Sequence, residues 1–212
     1  ITLLGQNVNS YLVSEKAKGE NVDFIVKKEN GDECKVNSFA TLLRLINEID
    51  GIERIRFISP HPKDFTDDVI DAIRDSEKVC KLIHLPLQSG STEVLKTMNR
   101  KYTKEHYLDL VEKIKNKIPN VQFSTDIIVG FPGETGKDFE DTLDVVSKVK
   151  FEQIYMFIYS RRVGTVADKM EKQIDEKIKH QRFDKLKNLA ENIIEEKNKN
   201  YVGKTELVLV EG

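Results

Sequence analysis

The chain has 212 residues, 39% of them hydrophobic and 33% charged, which is enough apolar material for a sizeable core and too much for a disordered segment. With 34 Lys and Arg against 36 Asp and Glu the formal net charge is −2, so bulk charge does not mark a nucleic-acid binder. Cys34 and Cys80 are its two cysteines. They exclude a disulfide framework and any zinc or iron–sulfur site built from three or four cysteines of this chain, and no apolar run reaches the ~20 residues needed to cross a bilayer.

Short apolar runs alternate with amphipathic helical patterns. Residues 1–4 read as a strand that ends at Gly5. Residues 23–26 and 33–36 flank a polar stretch containing Asn30-Gly31, a hairpin signal, and predict an inserted surface hairpin. Residues 38–49 set Phe39, Leu42, Leu43, Leu45, Ile46 and Ile49 at helical spacing. A strand over 55–58 stops at Ser59-Pro60-His61-Pro62, and Thr66 is placed to cap a helix with Asp67 and Asp68 in its first turn. A strand over 81–85 ends at Pro86-Leu87-Gln88-Ser89-Gly90-Ser91, and helices over 91–98 and 103–118 follow. The strand over 121–129 runs into Gly130-Phe131-Pro132-Gly133-Glu134, and Thr135 with Asp138 three residues on makes a capping box for a helix to 149. The strand over 151–158 ends at Tyr159-Ser160-Arg161-Arg162. A charged helix over 175–199 carries Ile178, Phe183, Leu186, Leu189, Ala190, Ile193 and Ile194 as its apolar stripe, and 203–212 read as one further strand. Five strands alternating with helices predict an α/β domain with a parallel sheet, open or closing toward a barrel.

In such folds ligands bind where strands end and helices begin. Each strand end taken alone reads as an ordinary turn, but together they line one rim with amides, hydroxyls and arginines. The segment from Gly130 to Glu134 has neither Walker nor dinucleotide spacing. Its glycines let a ligand approach the backbone, and Glu134 favours a hydroxylated or cationic ligand over a phosphate. His61 reads as a proline-stiffened turn residue or a catalytic group. His84 reads as a satisfied core or rim histidine ahead of a general base, and Asp126 as half of a packed ion pair or part of the site. Both cysteines read as structural thiols. No Ser/His/Asp set, paired-carboxylate spacing or HExxH is present, so the residues alone do not name a reaction.

The rim motifs are Leu4-Gly5-Gln6-Asn7-Val8-Asn9-Ser10-Tyr11, Ser59-Pro60-His61-Pro62, His84-Leu85-Pro86-Leu87-Gln88-Ser89-Gly90-Ser91 with Met98-Asn99-Arg100-Lys101-Tyr102, Thr125-Asp126-Ile127-Ile128-Val129-Gly130-Phe131-Pro132-Gly133-Glu134-Thr135, and Tyr159-Ser160-Arg161-Arg162 with Gly164-Thr165. In this order they resemble the radical S-adenosylmethionine (SAM) methylthiotransferases over nearly the whole chain. The first two are similar to the branch that modifies isopentenylated adenosine beside the tRNA anticodon.

The resemblance implies an α/β fold: a partial TIM-like (β/α) barrel of the radical SAM type over 1–165, missing its first strand. A helical segment over 166–202 would pack on it, and 203–212 would open a truncated TRAM-like RNA-binding β-domain. It also implies reductive cleavage of SAM, hydrogen abstraction from adenine C2 and methylthio insertion, in the cytoplasm and away from membranes. The implied partners are tRNA, SAM and a reductant such as flavodoxin or ferredoxin. Two [4Fe–4S] clusters serve the full-length family members. Their ligands, including the CxxxCxxC loop, are absent here, so no metal site is expected in this chain and the chain alone is expected to be inactive. Val163 and Val166 stand where the family carries proline. By motif, Gly5, Gln6, Asn7, Gln88, Ser89, Asp126, Ile128, Gly130 and Glu134 correspond to the SAM-binding positions. Ser59, His61, Tyr159, Ser160 and Arg162 correspond to positions facing the RNA substrate. The alternative is a degenerate, non-catalytic barrel module that binds RNA or a protein partner.

Overall fold

A computed structural model describes residues 1–11, 24–27, 31, 33–36, 38–208 and 210. Five parallel strands follow one another in chain order: β1 (Thr2–Leu3), β4 (Arg56–Phe57), β5 (Leu82–His84), β6 (Gln122–Val129) and β7 (Gln153–Ile158). β1 pairs with β4, β5 with β6 and β6 with β7, all in parallel register. The step from β4 to β5 is closed by a parallel bridge between Ile55 and Val79, with Ile55 N–H on the Lys78 carbonyl and Cys80 N–H on the Ile55 carbonyl. A parallel sheet with sequential strand order and a helix between most neighbours curls into an arc of barrel, as the strand–helix rhythm predicts. The expected hairpin is present as β2 (Phe24–Lys27) antiparallel to β3 (Glu33–Val36); Asp23, Asn30 and Asp32 lie outside the described residues.

The helices are α1 (Phe39–Glu48), α2 (Asp67–Asp75), α3 (Thr92–Thr97), α4 (Lys104–Lys117), α5 (Gly136–Val149) and α6 (Glu176–Asn198). Each starts where the sequence offers an oxygen to an orphan N–H: Ser38, Thr66, Ser91, Thr103, Thr135 and Asp175 all accept from the first turn of the helix they precede. The helices cover the outer face of the arc. There Ile83, Phe123, Ile127 and Ile154 pack on Ile70, Ile73, Tyr107, Ile114, Val145 and Leu186 in one core.

Asp138 ties two helix starts together. Its carboxylate accepts from the Ser91 hydroxyl at 2.5 Å and from the Thr135 N–H and hydroxyl at 2.8 and 2.6 Å. Burial works to raise this carboxyl, but the Ser91 and Thr135 donors hold it below the ordinary carboxylate range. A lowered folded-state value means stability that is present above the unfolded value and lost as pH falls through the folded one. Asp138→Asn is expected to cost about 1 kcal/mol at neutral pH and to flatten the acid limb of the stability curve, read by urea melts between pH 3 and 7.

Two expectations are corrected. Residues 203–212 were expected to form a strand, but 204–208 and 210 carry no strand pairing and Leu207 is 90% exposed. Alternating apolar residues become a strand only against a partner, and none of the described residues offers one. In the first turn of α6 the apolar stripe is also displaced: Ile178 lies outside and Lys179 is buried, 2% exposed. The lysine is satisfied there, its ammonium donating to the Glu176 carboxylate at 2.7 Å and to the Tyr159 carbonyl at 3.1 Å.

Candidate functional site: a strand-end rim above an open trough

Strand alternation gives the arc an inner face. Along β6, Gln122, Ser124 and Asp126 turn inward, and Gln153, Tyr155 and Phe157 do so along β7. With Ile58, Leu82 and His84 they line an open trough of about 940 Å³. Inside it, His84 Nδ1 lies 3.1 Å from Ser124 Oγ and Nε2 lies 3.4 Å from Asp126 Oδ2, while the imidazole meets Tyr155 edge-on at 5.8 Å. Asp126 and His84 are therefore partnered with each other, and both remain partly open to the trough.

At the C-terminal ends of the strands the rim is held in strained backbone. Asn7, Ser59 and Gln88, following β1, β4 and β5, all take left-handed φ of 54°, 58° and 66°. Gly130 follows β6 at 72°, where a glycine is required on two counts: its φ, and the Lys179 stem, whose Cγ would lie 2.4 Å from an added Cβ. Pro86 lacks an N–H, and the chain leaves the β6 ladder after Leu85 and rejoins it at Gln88, whose N–H donates to the Asp126 carbonyl at 2.8 Å. Buried hydroxyls staple the intervening bulge. Tyr107 and Thr125 donate to the Leu85 carbonyl, Thr125 accepts from Leu87 N–H, and Tyr102 donates to the Pro86 and Leu87 carbonyls. A second cavity of about 510 Å³ opens at this level, lined by Gln88, Met98, Arg100, Ile128, Phe131 and Met170 among others.

A family model described as the radical SAM superfamily matches residues 22–146. The chain belongs to the radical SAM superfamily. Over all 212 residues it is 53% identical to a tRNA-2-methylthio-N(6)-dimethylallyladenosine synthase of Clostridium novyi (strain NT), covering 43% of that protein. It is 54% identical to the protein of the same name in Acetivibrio thermocellus, covering 40% of it. The chain thus spans less than half the length of these curated relatives. Among solved structures, Escherichia coli coproporphyrinogen III oxidase (HemN), described as a radical SAM enzyme, superposes with a TM-score of 0.55 at 18% identity. That match covers 72% of this chain and 36% of the other, and speaks for the fold.

Within this radical SAM barrel, the positions expected from the sequence divide into three groups. Gln88 and Ile128 line the rim cavity, Asp126 and Ser59 the trough, and Gly5, Gln6 and Asn7 are exposed at the end of β1. The β1 loop is fixed to its neighbour: buried Asn9 exchanges hydrogen bonds with the His61 backbone at 2.9 and 2.7 Å. His61 is half-buried. Burial lowers its pKa, Arg100 and Lys63 lower it further against Asp64, and its Nδ1 accepts from Lys63 N–H at 3.1 Å, so it stands as a neutral acceptor. Ser89 turns away from both cavities toward Thr142, and Glu134 is buried against Arg182. Tyr159 stands edge-on to Phe131 at 5.2 Å with its hydroxyl buried and without a hydrogen-bond partner among the described residues, while Ser160 and Arg162 are exposed beyond it.

Arg100, Tyr155 and Phe157 were not singled out as site residues from the sequence. Arg100 stands in the stretch that follows the β5 rim loop; it lines the rim cavity and has no acidic partner among the described residues. Tyr155 and Phe157 were legible as alternate positions of one strand, but the face they share became an open one only in the fold.

Proposed function

We propose that this chain is the barrel portion of a radical SAM tRNA methylthiotransferase that converts N6-dimethylallyladenosine in tRNA to its 2-methylthio derivative. What supports the reading is identity above 50% over all 212 residues to proteins named for that product. In the reading, 1–165 form the barrel, 166–202 close it, and 203–212 lead toward an RNA-gripping domain.

The rim cavity suits SAM on the chemistry of its donors. Unpaired Arg100 would hold the carboxylate, the Gln88 amide would meet the ribose hydroxyls, and Ile128 and Phe131 would flank the base. Reductive cleavage of SAM supplies the radical chemistry; the chain's residues bind and orient. The residues do not fit a four-iron cluster: the chain has two cysteines, and among the described residues no three His, Cys, Asp or Glu side chains gather. Cluster ligands would come from outside these 212 residues, with tRNA and an electron donor as partners of the whole enzyme. Among the described residues no helix is long and apolar enough to cross a membrane.

The test is an anaerobic assay on tRNA carrying N6-dimethylallyladenosine, read by nucleoside mass spectrometry. The full-length protein containing this chain is expected to give the 2-methylthio product and the isolated chain none. A full-length, cluster-loaded protein that leaves the tRNA unmodified overturns the reading.

A further inference from the structure

We infer that Lys179 is a positioning residue for the cofactor: from the first turn of α6 its buried ammonium fixes the end of β7, and through the Tyr159 ring it sets Phe131, one wall of the rim cavity. For the occupant of that cavity the inference rests on the proposed function; for the wall it rests on geometry.

Lys179 is 2% exposed, and taking an ammonium out of water is costly. Packing does not require the charge. The lysine stem runs through the space a side chain on Gly130 would fill, and a methionine would fill it as well without the desolvation. What the ammonium adds is donors. It donates to the Glu176 carboxylate at 2.7 Å and to the Tyr159 carbonyl at 3.1 Å, and it lies 5.4 Å from the centre of the Tyr159 ring. The Glu176 side chain is 71% exposed, so water can serve that carboxylate. Tyr159 is the partner that depends on the lysine.

Tyr159 also needs a hold from that side. β7 is the last strand of its sheet, and among the described residues only β6 pairs with it. The Tyr159 N–H donates to the Val129 carbonyl at 2.9 Å, at the very end of that ladder. Strand ends are where a structure opens most cheaply. Lys179 takes the carbonyl from the helix side, so the residue is pinned at both of its backbone groups. The ring thus held stands edge-on to Phe131, with centroids 5.2 Å apart, and Phe131 lines the rim cavity beside Gln88 and Ile128. Phe131 directly follows Gly130, against which the lysine stem lies, so Lys179 bears on this wall twice. Arg182, three residues on along α6, braces Gly130 through Glu134, which leaves to Lys179 the side that faces Tyr159.

The test uses the full-length, cluster-loaded protein, anaerobically and without reductant, so that SAM is bound and not cleaved. SAM affinity is read by equilibrium dialysis, and backbone order by amide hydrogen exchange with mass spectrometry. Lys179→Met keeps the stem and removes the donors. It is expected to weaken SAM about tenfold, the scale of losing one aromatic wall against a base. Exchange should quicken in 129–134 and 157–162 while the rest of the barrel stays as protected as in wild type. Lys179→Arg restores a donor and is expected to recover most of the affinity. Phe131→Leu weakens SAM by itself, and adding Lys179→Met to it should cost little more, because the lysine acts through that ring. Lys179→Gln, whose shorter arm draws its amide back from the Tyr159 carbonyl, is read in the same way, so a Lys179→Met protein that does not fold still leaves the inference testable. Glu191→Ala, on the exposed face of α6, is the control. Unchanged local exchange or unchanged affinity in Lys179→Met, a uniform rise in exchange across the barrel, equal losses in Lys179→Met and Lys179→Arg, or additive losses with Phe131→Leu each overturns the inference. A wild-type protein that binds no SAM overturns the parent reading instead, and the exchange pattern still decides whether Lys179 sets the wall.

Discussion

Arg182→Met is expected to lower the unfolding free energy by about 3–5 kcal/mol, the loss that follows when one member of a buried ion pair is removed. The Glu134 side chain is 1% exposed, and it accepts from Arg182 Nη1 at 2.5 Å and from Gly130 N–H at 3.0 Å. Arg182 also donates to the Glu134 carbonyl at 3.1 Å and lies over the Phe139 ring at 5.8 Å. Burial pushes the Glu134 carboxyl above its ordinary value, opposed by Gly130 N–H and by Arg182. Without the guanidinium it rises further. A folded-state value above the unfolded one means that the native state holds the proton more tightly, so the variant is most stable in acid and loses stability as pH climbs through the carboxylate range to the raised value. The gap between wild type and Arg182→Met should therefore be small near pH 4 and wide at pH 7, measured by urea melts. Adding Glu134→Gln to Arg182→Met removes the stranded charge and should recover part of the loss. A change below about 1 kcal/mol at pH 7, the scale of a surface pair, would show that the pair is not a buried anchor. The pair also bears on the rim, because Glu134 caps the Gly130 turn from inside and Lys179 on the same helix holds the end of β7.

The parts of this architecture that were legible are those encoded by neighbours in sequence. A Ser, Thr or Asp before an amphipathic run accepts from that helix's own first turn, so Thr66, Ser91, Thr103 and Thr135 mark their helices to within a residue. Pro and Gly after a run of β-branched residues end a strand, which placed the rim. What stayed hidden depends on long-range register. His84 meets Ser124 across 40 residues only because β5 and β6 pair His84 with Ser124, and no local pattern carries that. Glu134, set after a glycine-rich turn, was read as facing a ligand. A carboxylate there has two outlets, and an arginine 48 residues away on α6 decides for the interior. Lys179 hid for the same reason. Charge placed it on the outer face of α6, and the Tyr159 carbonyl together with a glycine that leaves room for its stem drew it in.

Gly90→Ala is expected to cost about 3 kcal/mol, although the same substitution at a permissive site stabilises by reducing the freedom of the unfolded chain. Gly90 follows the β5 bulge and rests directly on the backbone of α5. A Cβ there would lie 2.4 Å from Thr142 Cα, 2.6 Å from the Asp141 carbonyl oxygen and 2.8 Å from Thr142 N. These are backbone atoms inside a helix, so the neighbour has no flexible end to move, and the clash is relieved by displacing the loop. That displacement also breaks the buried 2.9 Å bond from Gly90 N–H to the Thr142 hydroxyl. Thr142→Ala, introduced as a second change, should not rescue the variant: it deletes the side chain and leaves the colliding atoms in place. Recovery in the double variant would show that the side chain rather than the backbone sets the limit, and a Gly90→Ala protein as stable as wild type would show that the loop does not seat on α5. The effect should reach the site as well. Gln88 sits two residues upstream and owes its left-handed φ and its place in the rim cavity to the same loop, so if the rim cavity holds SAM as proposed, Gly90→Ala should weaken that binding by more than its stability loss explains. Binding measured well below the melting temperature, where the variant is still folded, separates the two.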